Sequence, residues 1–260
     1  MSYTLETGIS QAFADRIEVR GYDLVALAGQ ISFGDMVYLL LRGELPTPQA
    51  GQMVETMLVI MAEHSINAPS NFAARTVANS GSPLQTAVAA GISAIGDHHG
   101  GAGEAFARIL QAAVAAAPQP LDATAVATKI VATAAAGGQR LPGFGHRIHN
   151  PDPRAVYLLA LGRELGLAGP HTDVAEAIVT VLYERTGRAL PLNVDGALAA
   201  LSSDMGFDPL MAKGLFVMAR TAGLLAHVQE EITQGKPMKF TPRAEVRYTG
   251  PVRSAGDAPL

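Results

Sequence analysis

Apolar positions along the chain recur with a helical rather than an alternating period almost throughout. Asp35–Arg42 reads as an apolar helix ended by Gly43, with Pro46 and Pro48 preventing its continuation. Gln49–Glu63 forms a second helix, and Pro69–Ser70 opens a further element. Pro83–Gly96 and Gly103–Ala117 are Ala-rich helices on either side of a glycine cluster. Asp122 is placed to cap a helix running to Ala136, where Gly137-Gly138 stops it. Ala155–Gly166, after the Pro151–Pro153 turn, and Asp173–Gly187 follow. A short helix over Gly196–Met205 and a long one from Pro209 to near Glu231 complete the set, and Lys239–Tyr248 is the best candidate for extended structure. No stretch offers the strand, glycine loop and helix of a nucleotide-binding α/β fold, and no internal repeat is visible. The pattern predicts an all-α protein whose helices pack closely through Ala and Gly.

Composition narrows the function classes. The chain has 260 residues, 48% hydrophobic and 16% charged, with a mean hydropathy of +0.21. That is enough for one large domain or two unequal ones with a sizeable core, and far too apolar for disorder. The net charge is −4 and the 19 Lys and Arg are scattered, so no basic face for nucleic acid can be drawn. The longest apolar runs, among them Met57–Ala62, Ala112–Ala117 and Ala155–Leu161, fall short of the ~20 residues that span a bilayer. With no charged-then-apolar segment at the N-terminus, the expectation is a cytoplasmic chain with neither membrane nor nucleic-acid partner. The absence of cysteine excludes disulfides, zinc–thiolate sites and thiol nucleophiles.

The candidate chemistry lies in glycine-flanked turns. His98-His99 precedes Gly100-Gly101, and His146 ends Pro142-Gly143-Phe144-Gly145-His146, where glycines let a ligand approach the backbone. His64 closes a helix and is followed by Asn67, and Asp195 sits at a helix start in Asn193-Val194-Asp195-Gly196. Two His and one Asp in such turns suit acid–base catalysis on a small polar substrate, although a carboxylate at a helix start also serves simply as a cap. His149 and His171, beside turn prolines, read as packed or surface residues, and His227 as a packing or subunit-contact residue. The i, i+3 spacing of His146 and His149 lies in a proline-rich loop rather than a ligand-presenting helix, so no metal is expected.

Taken in order, these segments resemble the citrate synthase superfamily. The matching segments are Ser32-Phe33 through Gly43-Glu44-Leu45-Pro46-Thr47, Glu63-His64-Ser65-Ile66-Asn67-Ala68, His99-Gly100-Gly101-Ala102-Gly103-Glu104-Ala105, Gly143-Phe144-Gly145-His146-Arg147 with Asp152-Pro153-Arg154, and Asn193-Val194-Asp195. The short length and the Leu192-Asn193-Val194-Asp195-Gly196 form are most similar to stand-alone citryl-CoA lyases and the C-terminal module of ATP-citrate lyase, although His99 is kept as in synthases.

The resemblance implies a two-domain helical fold, with a large domain over 1–104 and 207–260 and a smaller one over 105–206. The cleft between them would close over substrate. It also implies that Asp195 removes the methyl proton of acetyl-CoA, that His99 holds the thioester oxygen and that His146 polarises the keto oxygen of oxaloacetate. His64, Arg154, Arg220 and Arg243, the last supplied by a partner subunit, would bind the carboxylates, with Arg247 as the alternative tail ligand. Pro142, Gly143, Phe144, Gly145, Arg147 and Asn193 would hold coenzyme A, with Arg140 or Arg147 near its phosphates. The CoA thioester is then a substrate and no cofactor is held permanently. At least a homodimer is implied. A citryl-CoA lyase, a short citrate synthase and a non-catalytic paralogue that binds a CoA ester are the readings carried forward.

Overall fold

The computed structural model describes residues 4–239 and 243–252. It begins with strands that the helical periodicity does not announce. Ser10–Ala12 (β1), Ile17–Val19 (β2) and Tyr22–Asp23 (β3) form an antiparallel meander, each strand too short to display alternation. Arg20 and Gly21 join β2 to β3 with φ of 52° and 85°, as a two-residue hairpin turn requires. The Arg20 guanidinium donates to Gly8 O at 3.1 Å and to Leu40 O at 2.7 Å, which anchors the hairpin on the helix that carries Leu40.

The remainder is helical: α1 (Leu24–Leu27), α2 (Phe33–Arg42), α3 (Pro48–Met61), α4 (Pro69–Asn79), α5 (Leu84–Ser93), α6 (Ala102–Ala115), α7 (Ala123–Ala136), α8 (Pro153–Glu164), α9 (Pro170–Thr186), α10 (Val194–Asp204) and α11 (Pro209–Gln234). Local chemistry sets the ends. Ser32 and Asp35 form a reciprocal capping box, so α2 starts two residues before its apolar pattern does. Thr47 caps α3 with Pro48 in the first turn, and Asp122 and Asp152 cap α7 and α8. Helix α3 stops at Met61, so His64 does not close it but lies in the loop beyond, where Ser65 takes φ of 80°.

Helix α11 lies against α3, α4, α5, α6 and α10, and α10 also touches α6, α8 and α9. One hydrophobic core runs through α3 and α6 to α11, and a smaller one lies between α4, α5 and α11. Over its 26 residues α11 is apolar and long enough to cross a bilayer by length and composition, and here its inner face packs in the core and buries Arg220 and Glu231. Helix α10 is buried almost all round, from Gly196 through Ser203. Leu198 and Leu201 on it are fully buried, each contributing about 1.5–3 kcal/mol of transfer free energy. A helix enclosed on every side holds the residue at its first turn, Asp195, rigidly.

The tail differs from the expectation of extended structure. Arg243–Glu245 is a 3-10 turn and no strand pairs with this segment among the described residues. Unpaired strands leave their backbone groups unsatisfied, and the tail is held through side chains instead. Asn79 bonds the backbone of Lys236 and Lys239, and Lys239 Nζ pairs with the buried Glu231.

Candidate active site

Two stretches remote in sequence are zipped together. Gly145 N–H donates to Pro191 O at 2.8 Å and Asn193 N–H to Gly143 O at 2.9 Å. Asn193 caps α10 through Gly196 N–H at 3.1 Å, and its Nδ2 donates to Gly145 O at 2.9 Å. Gly143 has φ of 86°, and a Cβ on it would lie 2.9 Å from the Gly196 Cα, so neither backbone admits a side chain between them. This seam brings His146 and Asp195 to one cavity of about 420 Å³, which His64, His99, Arg154 and Arg220 also line.

The tautomers of the two central imidazoles follow from their partners. His146 Nδ1 accepts the backbone N–H groups of Ile148 and His149 at 3.2 and 3.1 Å, which leaves the ring proton on Nε2. His99 Nε2 lies 2.9 Å from the Oγ of Ser70, a residue buried in the first turn of α4. Ser70 has no other side-chain partner, so both groups are best satisfied when the hydroxyl donates to Nε2 and the His99 proton sits on Nδ1. Burial lowers the pKa of His99, with the Arg220 charge adding to it. Burial likewise lowers His146 and His64, and the Arg154 guanidinium acts in the same direction on both. At neutral pH these rings are neutral, and those of His99 and His146 present defined N–H donors.

The carboxylate and guanidiniums complete the cavity. Burial pushes the Asp195 carboxyl up, against the pull of Arg154 and Arg220, and no hydrogen bond contributes to its environment. Asp152 caps α8, accepts Arg154 Nε and Nη2 at 3.0 and 2.9 Å, and also accepts Val194 N–H at 3.1 Å. One buried side chain thereby orients Arg154 and fixes the start of α10. Arg220 is only 2% exposed, with its guanidinium 5.0 Å from the Phe216 ring. Its Nε donates to Met61 O at 3.3 Å, but its buried Nη1 has no partner. A buried guanidinium with an open donor, beside a second one, is a seat for an anion.

The other expected residues fall in several places. Arg147 and Asn193 line the cavity with Gly145. Phe144 is buried edge-on to Phe106 at 5.1 Å, so its ring is part of the core. Pro142 and Arg140 border a separate apolar hollow of about 560 Å³ between α6 and α7. The Arg243 side chain lies outside the described residues, and Arg247 is exposed and does not line the cavity. His171 is packed against Asp204 at 2.8 Å, tying the start of α9 to the end of α10. His227 lies 3.2 Å from Glu63.

His149 corrects the reading of it as an isolated packed or surface residue. It stacks on His146 at 4.6 Å and 22°, and meets His64 edge-on at 5.8 Å. Ser70 and Asp152 contact site residues, His99 and Arg154, and neither stands among the residues the sequence singles out for the site. Asp152 had a signal in the Asp-Pro-Arg run, whereas nothing local marks Ser70.

One ring nitrogen from each of His64, His146 and His149 falls within 4.8 Å of the others, a spacing from which rings could turn toward a transition metal. The Arg154, Arg220 and Arg147 charges act on these rings against a dication, with the Asp152 carboxylate opposing them at His146.

The helical fold and this cavity define a class: helical proteins with a polar cavity lined by imidazoles, guanidiniums and a carboxylate. More narrowly, the chain belongs to the citrate synthase family, since residues 46–243 match the citrate synthase C-terminal domain. It is 32% identical over 234 residues to the citrate synthase of Haloferax volcanii, covering 89% of this chain and 59% of that one. The chain thus spans about three fifths of that relative's length. Its fold is similar to a citryl-CoA lyase of Hydrogenobacter thermophilus, with a TM-score of 0.88, 39% identity and 97% of each chain covered. An ATP citrate lyase of Methanosaeta concilii, solved in complex with (3S)-citryl-CoA, shares the fold at a TM-score of 0.80 and 22% identity over 97% of this chain and 42% of that one.

Proposed function

We propose that this chain is a citryl-CoA lyase-like enzyme that breaks, and in reverse forms, the carbon–carbon bond between acetyl-CoA and oxaloacetate. The observation that carries the reading is the convergence of Asp195, free of hydrogen bonds, with two neutral imidazole donors beside the open guanidinium of Arg220.

A thioester methyl group is a weak acid, so its proton leaves only if charge arriving on the thioester oxygen meets a placed donor. In the condensation direction Asp195 takes that proton, its basicity raised by burial. His99 Nδ1–H meets the developing enolate oxygen. The enol carbon then attacks the keto carbon, whose oxygen takes the His146 Nε2 proton as the bond forms, and the proton held on Asp195 is returned to that ring through solvent. Cleavage runs the same steps backward: the hydroxyl proton passes to His146, and the methyl carbon takes its proton from Asp195. Arg154, Arg220 and His64 hold the carboxylates, and the 143–147 loop with Asn193 holds the CoA ester. His64, His99 and Arg220 belong to the part read as the large domain, and His146, Arg154 and Asp195 to the smaller one. Closure of one on the other would exclude water from the enol. In this reading the chain works as at least a homodimer in the cytoplasm, with Arg243 or Arg247 reaching a neighbouring site.

A short citrate synthase, which also hydrolyses the thioester, is the second reading, favoured by the Haloferax volcanii relative. Incubating the protein with acetyl-CoA and oxaloacetate while following free CoA separates the two. Cleavage of supplied citryl-CoA without steady CoA release supports the lyase, and steady release supports the synthase. Thermal stabilisation by CoA esters with no turnover of either kind would reject both.

A further inference from the structure

His64 sits between two acceptors that one buried amide holds at once. Asn71, in the first turn of α4, is fully buried. Its Nδ2 donates to Ser65 O at 2.9 Å and to Glu63 Oε1 and Oε2 at 3.0 and 3.3 Å, the residues immediately after and before His64. Ser65 holds φ of 80°, a left-handed conformation that residues with a Cβ disfavour. Such strain persists only where the surroundings over-determine it. Besides Asn71, the turn is tied by Ala68 N–H to Ser65 O at 3.2 Å and by Asn67 N–H to Ser65 Oγ at 3.5 Å, bonds that start from the same strained residue. Asn71 keeps its donor end on this loop while its buried Oδ1 has no partner. The side chain therefore costs the fold a buried acceptor in order to hold the loop.

We propose that Asn71 is a positioning residue that clamps Glu63 and Ser65 in a strained turn so that His64 faces the cavity. The pair Asn71–Ser65 then sets affinity for the carboxylate substrate. The neighbouring Ser70 orients His99, so two consecutive residues of α4 place two imidazoles of the site. The inference rests on the reading of His64 as a substrate ligand.

The test is a cycle of Asn71→Ala, Ser65→Gly and the double variant in the full-length protein. Asn71→Ala raises KM for oxaloacetate or citryl-CoA by about tenfold with a smaller change in kcat, because it loosens binding rather than chemistry. Glycine takes positive φ without a clamp, so adding Ser65→Gly recovers most of the lost KM, and alone it raises the melting temperature. Ser65→Val, at an exposed position where folding is not at stake, raises KM in the same sense. A fall in kcat at unchanged KM in Asn71→Ala, no recovery in the double variant, or an unchanged KM in Ser65→Val overturns the clamp. If the wild-type protein turns over neither substrate set, the functional reading fails separately, and the clamp is read from melting temperatures alone. Asn71→Ala must then cost less in the glycine background, and additive shifts overturn it.

Discussion

Ser70 Oγ lies 2.9 Å from His99 Nε2, and the serine is fully buried where the ring opens to the cavity. The hydroxyl therefore determines which nitrogen of His99 carries the proton that the site uses. Ser70→Ala removes that control and leaves Nε2 without its partner. Removing an oxyanion donor outright costs about 10²–10³ in rate, and losing only its orientation is expected to cost roughly tenfold to a hundredfold in kcat. Steady-state kinetics with an unchanged melting profile would check this, and a kcat within twofold of wild type would reject the tautomer argument.

Asp195 gives a prediction in which stability and activity move in opposite senses. Burial raises its folded-state pKa, so between its ordinary value near 3.8 and the raised value the folded protein binds more protons than the unfolded chain. Stability is then lost as pH rises through that window, and the ionised carboxylate is a burden at neutral pH. Asp195→Asn is expected to raise the melting temperature at pH 7 while lowering turnover by about 10²–10⁴. Calorimetry and kinetics on one preparation suffice, and a destabilised variant would contradict the burial argument.

Arg220 makes the same kind of trade with charge of the other sign. A buried guanidinium with an unpartnered Nη1 is costly until an anion arrives. Arg220→Met should leave the unbound protein about as stable, because relief of that donor is offset by loss of the charge that opposes the burial of Asp195. Its KM for the carboxylate substrate should rise at least about tenfold. Denaturant unfolding with and without oxaloacetate measures both, since at one ligand concentration the wild-type protein should be stabilised more than the variant.

Three of the cavity imidazoles, His64, His99 and His146, titrate below the ordinary value of 6.5, chiefly through burial. Between the depressed pKa and 6.5 the unfolded chain binds more protons, so the contribution of these rings to stability rises with pH up to about 6.5 and is lost on acidification, opposite in sense to that of Asp195. Condensation needs neutral rings and an ionised Asp195, so kcat/KM is expected to fall on the acid side of that value. A pH–rate profile checks this, and activity that peaks under acid conditions would be incompatible with neutral donors.

Much of the fold is legible in the sequence because helix signals are local. The caps at Thr47, Asp122 and Asp152, the stop at Gly43 and the apolar periodicity lie within a turn or two of what they control. The meander over residues 10–23 is not legible, since strands of two or three residues leave no pattern and are held partly by the Arg20 bond to Leu40 O. The tail departs for a related reason: a β-like run becomes a strand only beside a partner, which is absent among the described residues.

The same division runs through the site. The sequence by itself determined the helical class, the glycine-flanked turns that carry His99, His146 and Asp195, and the family order of the motifs, because each is written within a few neighbouring residues. Only the tertiary structure decided that Ser70 meets His99, that Asp152 joins Arg154 to the start of α10, that His149 stacks on His146 and that Arg220 keeps a buried, unpartnered donor. Those relationships set protonation and orientation, and they depend on distance and burial, which arise only when α4, α6, α8, α10 and α11 pack together.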